Sequence, residues 1–168
     1  LPHYSTSIAL SINKDIVFGL VHDCAKSESF HAIKGDGAYL GKEKLNIKSG
    51  VKLSNSLFVT GFPYTDQYDS NQYLEIVNHL LKHSRGVRRY GSAALDLAYV
   101  ASSRFNCYYE GFLNIWDIAA GALIVKEAGG MVSDLDGKET YLQTGAIIAS
   151  NPSIFDDVKS IIAEKLNF

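Results

Sequence analysis

The spacing of apolar and polar residues changes near the middle of the chain. Up to Phe62, short alternating stretches are separated by turn sequences such as Asn13-Lys14-Asp15. Alternation with a period of two is typical of strands that are half buried. The pattern therefore predicts antiparallel strands over "YSTSIALSI", "IVFGLVHD" and "SESFHAIKGDGAYLG", and a further strand at "SLFVTGF".

From Asn71 onward, apolar residues recur with helical spacing. The segment "NQYLEIVNHLLKH" places these apolar residues on one face of a predicted helix: Tyr73, Ile76, Val77, Leu80 and Leu81. Short strands and helices then alternate. We predict strands at "GVRRYG", "FNCYYEG", "MVSDLDG" and "GAIIASN", and helices at "SAALDLAYVASSR", Trp116–Ala128 and "PSIFDDVKSIIAEKLNF". This alternation is typical of a sheet covered by helices.

The two patterns suggest a division of the chain close to Ser84. Residues 1–84 are expected to form the remainder of an N-terminal antiparallel α+β layer, and residues 85–168 a C-terminal α/β domain. No flexible linker marks the join.

Composition and charge exclude several classes of protein. Of the 168 residues, 46% are hydrophobic and 20% are charged, which is ordinary for a globular protein. A net charge of −2 without a basic stripe gives no reason to expect binding to nucleic acid or to a membrane. Cys24 and Cys107 lie in no ligand spacing and are predicted to be free thiols, partly buried, in a cytoplasmic protein.

Three polar residues lie at predicted element ends, where they could either stabilise the fold or bind a ligand. Asp117 begins a nearly all-apolar helix and could cap it or hold a metal. Ser92 begins another helix, whose free backbone N–H groups could be capped or could receive a phosphate. Glu110 ends a strand, where carboxylates either face solvent or contact ligands.

Other acidic residues favour a structural interpretation. Asp134 to Gly137, "DLDG", resembles the start of a calcium loop, but the remaining ligands do not follow, so we predict a tight hairpin turn. Asp96 and Glu127 lie in helices predicted to be buried, and each is expected to make a structural hydrogen bond.

Taken together, these segments resemble the inositol monophosphatase family of Mg²⁺-dependent, lithium-sensitive phosphatases. The resemblance rests on "GSAALDLAYVA" followed by "WDIAAGALIVKEAGG", and on "SLFVTGFPY" and "HAIKGDGAYLG" upstream, and it covers essentially the whole chain. It implies a layered αβαβα sandwich, α+β and α/β in character, from which the N-terminal part is missing. It also implies a homodimer in the intact parent protein.

The resemblance assigns expected roles to particular residues. Asp117, in the "WD" pair, would bind a catalytic metal ion, and Glu110 would contact substrate hydroxyls. The "GSA" segment, Gly91, Ser92 and Ala93, would contact substrate through its backbone and side chains. Asn114 lies in a turn that helps to set substrate preference in the family. The substrate would be a small sugar or inositol monophosphate, and two or three Mg²⁺ ions would be needed.

The chain departs from the family in one respect. The family's acidic "Asp-Pro-Ile/Leu-Asp-Gly-Thr" motif and an upstream glutamate, which supply the other metal ligands, do not occur in these residues. The chain begins at Leu1, and its only methionine is Met131. We therefore expect the C-terminal part of a longer enzyme, inactive by itself. Fructose-1,6-bisphosphatase, nucleotide 3′-phosphatase and histidinol-phosphatase activities, or a non-catalytic binding module, are the alternatives.

Overall fold

The computed structural model describes residues 2–62 and 70–166. The last two residues of the "SLFVTGFPY" segment, Pro63 and Tyr64, lie outside this part of the chain. The first sheet is an antiparallel meander in which each strand pairs with the next, as the alternating pattern predicts. Its strands are β1 Ser5–Ile12, β2 Asp15–Asp23, β3 Glu28–Ile33, β4 Gly37–Leu40 and β5 Glu43–Lys44.

The second sheet is mixed and has the strand order β7-β6-β8-β10-β9. Its strands are β6 Leu57–Thr60, β7 Gly86–Arg88, β8 Cys107–Glu110, β9 Met131–Ser133 and β10 Ile147–Ser150. Strand β6 runs parallel to both β7 and β8, whereas β10 is antiparallel to β8 and β9. The carboxyl ends of β6, β7 and β8 therefore meet at one edge of the sheet.

The helices fall where the periodicity places them. They are α1 Ser70–His83, α2 Ala93–Ala101, α3 Ile115–Glu127, α4 Tyr141–Thr144 and α5 Phe155–Leu166, with 3-10 turns at Leu53–Asn55 and Pro152–Ile154. The short helix α4 and the first 3-10 turn have no counterpart among the predicted elements. In α1 the predicted apolar face is largely confirmed, but Leu81 is 56% exposed and faces solvent.

The layers stack as sheet, helices, sheet, helices. Helices α2 and α3 lie between the two sheets, because both contact strands of each sheet. Helices α1 and α5 pack on the other face of the second sheet, where Phe58 and Ile148 point away from α2 and α3. The predicted layered α/β sandwich is confirmed, and the described residues supply four of its five expected layers.

Glycines allow the middle layer to lie close to its neighbours. A Cβ added to Gly19 in β2 would come within 2.7 Å of the Ala120 carbonyl oxygen in α3. A Cβ added to Gly121 would come within 2.6 Å of Leu97 in α2. Both contacts are shorter than van der Waals packing permits, so α3 can hold its present place only with glycine at these positions.

The proposed division at residue 84 remains a prediction. Strand β6 and helix α1 precede it along the chain, yet they belong to the second sheet and to the helix layer behind it.

The polar sequence around Asp134 forms a tight turn, in which Asp134 Oδ1 accepts from the Asp136 and Lys138 N–H groups. This turn begins a longer connection through α4 to β10, so the prediction of a tight hairpin is wrong.

Both cysteines are free thiols, as predicted. Cys107 is fully buried and Cys24 half-buried, both are free, and burial raises the pKa of the Cys107 thiol far above its usual value. Among the described residues, none of the helices is both long enough and apolar enough to cross a membrane.

Candidate functional site

A cleft of about 520 Å³ opens where the carboxyl ends of three parallel strands meet the amino ends of α2 and α3. Gly61 follows β6, Arg89 follows β7 and Glu110 ends β8. Crevices outside the carboxyl ends of strands are the common ligand sites of α/β sheets. The residues that line this cleft are His3, Tyr4, Ser5, Ser7, Gly61, Arg89, Gly91, Ser92, Ala93, Ala94, Glu110, Leu113, Trp116 and Asp117.

Most of the residues singled out from the sequence meet in this cleft. Those that line it are Gly91, Ser92, Ala93, Glu110 and Asp117. Asn114 is exposed at the start of α3 and is not among the lining residues. The roles of all six in substrate or metal binding remain predictions, to which the structure adds a shared location for five of them.

The start of α2 forms one wall of the cleft. Gly91 has a φ of +91°, in the left-handed region that favours glycine, and turns the chain from β7 towards the helix. Ser92 occupies the N-cap position, as predicted, but its side chain makes no capping hydrogen bond. The N–H groups in the first turn of a helix lack partners within the helix, so this wall offers donors and the positive end of a dipole to an anion.

The start of α3 forms another wall of the cleft. The Asn114 N–H donates to Asp117 Oδ2 at 2.9 Å, and the Asp117 N–H donates to the Asn114 carbonyl oxygen at 3.0 Å. This reciprocal pair closes the first turn, which is the capping role anticipated for Asp117. Because Asp117 also lines the cleft, the cap fixes a carboxylate beside the space in which a ligand could bind.

Glu110, at the end of β8, lines the same cleft. The Tyr108 hydroxyl donates to Glu110 Oε2 at 2.7 Å. Burial, with a smaller contribution from the charge of Asp117, raises the pKa of Glu110, while the Tyr108 hydrogen bond and the Arg89 charge oppose this rise. A Cβ at Gly61 would overlap the Glu110 carboxylate, so the missing side chain at residue 61 makes the space that Glu110 occupies.

Asp96 departs from the prediction made for it. It is 1% exposed, and within the described ranges its Oδ1 atom has no hydrogen-bond partner. The expected structural hydrogen bond of Asp96 is therefore not made at Oδ1. Burial first, and then the charge of Glu110, raise the pKa of Asp96 to about 8, and the Arg89 charge lowers it.

Glu127 behaves as predicted. Its Oε1 accepts from the Gly35 N–H at 2.8 Å and its Oε2 accepts from the Gly37 N–H at 3.0 Å. The carboxylate thus joins the end of α3 to the turn between β3 and β4, far along the helix from Asp117. It is a structural residue and belongs to no part of the cleft.

The oxygen atoms that line the cleft are of the type that binds a hard cation such as Mg²⁺. The Asp117 and Glu110 carboxylates and the Ser92 hydroxyl are oxygen ligands of the type that Mg²⁺ prefers. Their number is small, because no three acidic, histidine or cysteine side chains converge as a metal site within residues 2–62 and 70–166. Of these groups, Asp117 is the one that the family resemblance identifies as a metal ligand.

Several lining residues escaped the sequence reasoning. Arg89 sits directly before the "GSA" segment and brings a cation to the cleft, and its place in "RRYGS" could have drawn attention to it. No local sequence pattern predicts that Gly61 and His3 line the cleft, because the tertiary structure brings them there. Trp116, the neighbour of Asp117, is 66% exposed at the rim.

The chain matches the model of the inositol monophosphatase family over residues 1–167. A curated relative, Nus factor SuhB of Haemophilus influenzae, is 40% identical over 158 residues, which are 94% of this chain and 59% of the relative. Nus factor SuhB of Escherichia coli K12 is 41% identical over 97% of this chain and 60% of its own length. The chain thus spans about three fifths of the curated relatives it matches.

Solved structures agree with this result. The inositol monophosphatase of Anabaena sp. PCC 7120 superposes with a TM-score of 0.91 at 36% identity, covering 98% of this chain and 67% of that one. The chain belongs to the inositol monophosphatase family, because its sequence matches the family model along nearly its whole length and its fold agrees with that of a solved member.

Proposed function

We propose that this chain is the substrate-facing part of a Mg²⁺-dependent phosphomonoesterase that hydrolyses a small sugar or inositol monophosphate. The observation that carries this proposal is the shared cleft, in which Glu110, Asp117 and the first turn of α2 surround one space at the carboxyl edge of the second sheet. Family membership supports phosphatase chemistry in general, and the cleft supports a small anionic substrate.

Each wall has a distinct part in binding the ester. The N–H groups at the start of α2 would donate hydrogen bonds to oxygen atoms of the substrate, helped by the helix dipole. Glu110 would accept a hydrogen bond from a substrate hydroxyl, with its carboxylate held in place by Tyr108. Arg89 would offset part of the negative charge in the cleft.

Asp117 would hold the metal. Its carboxylate is anchored by the Asn114 N–H, so little side-chain freedom would be lost when a cation binds. When bound, Mg²⁺ would neutralise phosphate oxygens and lower the pKa of the attacking water. One carboxylate does not retain this reluctantly dehydrated ion, so the 168 residues alone are expected to be inactive.

The longer relatives support the same view. Since the chain spans about three fifths of their length, the remaining ligands would come from residues outside these 168. The full-length protein is expected to be a cytoplasmic homodimer that takes up two or three Mg²⁺ ions per site and is inhibited by lithium.

A panel of phosphate esters tests the proposal in the full-length protein. Inositol 1-phosphate, fructose 1,6-bisphosphate, a nucleoside 3′-phosphate and histidinol phosphate would be compared with and without Mg²⁺, with phosphate release as the readout. Selective, Mg²⁺-dependent release from inositol phosphate is expected. Preference for another ester would reassign the substrate, and release from the 168-residue chain alone would contradict its predicted inactivity.

A role without catalysis is the second candidate. Curated relatives at about 40% identity are named Nus factor SuhB, which favours a part in the transcription machinery. Complementation in a cell that depends on such a factor separates the two candidates. If an Asp117→Asn variant supports that function fully while phosphate release is lost, binding is independent of catalysis.

A further inference from the structure

A buried carboxyl group lies beneath the candidate cleft and takes no part in the function proposed above. Asp96 lies in the first turn of α2 and is 1% exposed. Its Oδ1 has no hydrogen-bond partner in the described part of the chain. An ionised carboxylate without hydrogen bonds is very costly to bury, so the surroundings of Asp96 favour the neutral acid.

The charged and titratable groups that act on Asp96 come from the elements packed around α2. Glu110 ends β8, Tyr108 lies two residues earlier on the same face of that strand, and Arg89 follows β7. Glu110 disfavours a charge on Asp96 and Arg89 favours one. Glu110 and Arg89 also line the cleft, so the state of Asp96 affects the electrostatic environment of the ligand space.

The two carboxyl groups are not equivalent. Glu110 accepts a hydrogen bond of 2.7 Å from Tyr108 and borders the open cleft, both of which stabilise its charge. Asp96 Oδ1 is buried and accepts no hydrogen bond from the described residues. When two carboxyl groups share a poorly solvated region, the proton stays on the group whose charge is less well stabilised.

We propose that Asp96 and Glu110 form a buried acid pair in which Asp96 holds the proton, so that Glu110 stays an ionised acceptor facing the cleft. Asp96 is a positioning residue in this arrangement and does not touch the substrate. Its neutral state removes one negative charge from beneath a cleft that would receive a phosphate ester. The part of this proposal that concerns substrate rests on the proposed function, whereas the location of the proton does not.

The proton on Asp96 makes the pair sensitive to alkaline pH. The pKa of Asp96 is raised to about 8. A group whose pKa is higher in the folded state stabilises the fold most at low pH, and this contribution is lost as the pH rises through the folded value. The same ionisation would place a further negative charge below the bound ester and weaken its binding.

Infrared spectroscopy of the full-length protein locates the proton without metal or substrate. At pH 7 the wild type should show the C=O stretching band of a neutral carboxylic acid, and this band should disappear above pH 8. The Asp96→Asn variant should lack the band, whereas Glu110→Gln should keep it and lose it at a lower pH than the wild type. Asp156→Asn, at a carboxylate that is 89% exposed, is the matched control and should change nothing.

Several results would overturn the proposal. A band that survives in Asp96→Asn and vanishes in Glu110→Gln would place the proton on Glu110, and no band in the wild type would mean that neither group holds one. If Asp96→Asn fails to fold, the Glu110→Gln spectrum still decides the matter, because an unchanged titration would show that the two groups are not coupled.

Kinetics then test the link to substrate separately. In the full-length protein, KM should rise above pH 8 in the wild type and stay flat in Asp96→Asn, with similar kcat at pH 7. An equal rise in KM in both proteins would contradict the positioning role. If no phosphate ester is hydrolysed at all, the proposed function fails, while the infrared result on Asp96 and Glu110 stands on its own.

Discussion

The carboxylate of Glu110 occupies the space that a side chain at Gly61 would fill. A Cβ built on Gly61 would overlap both carboxylate oxygens of Glu110. Gly61 directly follows β6, Glu110 ends the neighbouring parallel strand β8, and both residues line the cleft. The position of the proposed substrate-binding carboxylate is thus set by the absence of a side chain on the next strand.

Gly61→Ala should displace the Glu110 carboxylate. Gly61 does not have a positive φ, so the substitution strains no backbone, and the new methyl group would meet the end of the Glu110 side chain. Moving this carboxylate breaks its hydrogen bond with the buried Tyr108 hydroxyl, so a loss of stability of about 1–3 kcal/mol is expected from chemical denaturation. We also expect weaker substrate binding in the full-length protein, seen as a higher KM.

A double mutant gives the control. If Gly61→Ala acts by moving Glu110, it should have almost no effect on KM in a Glu110→Ala background. Additive effects of the two substitutions would instead show that Gly61 acts on the cleft by another route.

Asp117 combines a cap with a proposed metal ligand, and two substitutions separate these roles. Asp117→Asn keeps an oxygen that can accept from the Asn114 N–H, so its stability should remain near that of the wild type while turnover falls severely. Asp117→Ala removes the acceptor as well and should lower stability by about 1 kcal/mol. Chemical denaturation and phosphate release, measured on both variants, check these expectations. Near-normal turnover in Asp117→Asn would leave capping as the whole function of Asp117.

Glu127 should matter for stability and not for activity. Its carboxylate accepts two backbone N–H groups from the β3–β4 turn, and Glu127→Ala would leave both without their partner. A loss of about 1–3 kcal/mol is expected from chemical denaturation. Glu139→Ala is the matched control, since Glu139 is 83% exposed in its ion pair with Lys126 and should contribute almost nothing. Equal effects of the two substitutions would be inconsistent with this account.

The ion pair of Glu28 and Arg104 should make stability depend on acidic pH. Arg104 donates to both carboxylate oxygens at 2.6 and 2.7 Å, and this hydrogen bonding lowers the pKa of Glu28 below its ordinary value of 4.5. Because the folded pKa is the lower one, the stabilisation is fully present above 4.5 and is lost as the pH falls through the folded value.

The comparison is between wild type and Glu28→Gln, unfolded by denaturant over a range of pH. The wild type should be the more stable at pH 7, and the difference should shrink below pH 4.5. Asp15→Asn provides the control, because Asp15 is 69% exposed in its ion pair with Lys34 and should give no such trend. A difference between wild type and Glu28→Gln that stays constant with pH would argue against the ion pair as its source.

Periodicity predicted most of the elements because each strand or helix records its own burial pattern. The helical spacing before His83 survives in α1, which buries one face. The strand predicted at "YSTSIALSI" forms β1, although its apolar residues Ile8, Leu10 and Ile12 are about half exposed. Helix α4 was missed because four residues carry no period. The hairpin expected at Asp134 was wrong because a turn sequence does not specify how far away the next paired strand begins.

For the candidate site, local sequence indicated Glu110, Ser92 and Asp117 through their places at element ends. It could not choose between capping and binding, since both use the same atoms at the same helix terminus. Family resemblance supplied expected roles, which remain predictions, including that of Asn114, which is not among the residues lining the cleft.

By itself the sequence determined the elements, the acidic residues at their ends and the family to which they belong, because these depend on patterns within short segments. The tertiary structure alone decided that Gly61 makes room for Glu110 and that Asp96 is buried with an Oδ1 atom that has no partner among the described residues. These relations join strands and helices that are distant along the chain. They depend on how closely the layers pack, and no local pattern of residues records that distance.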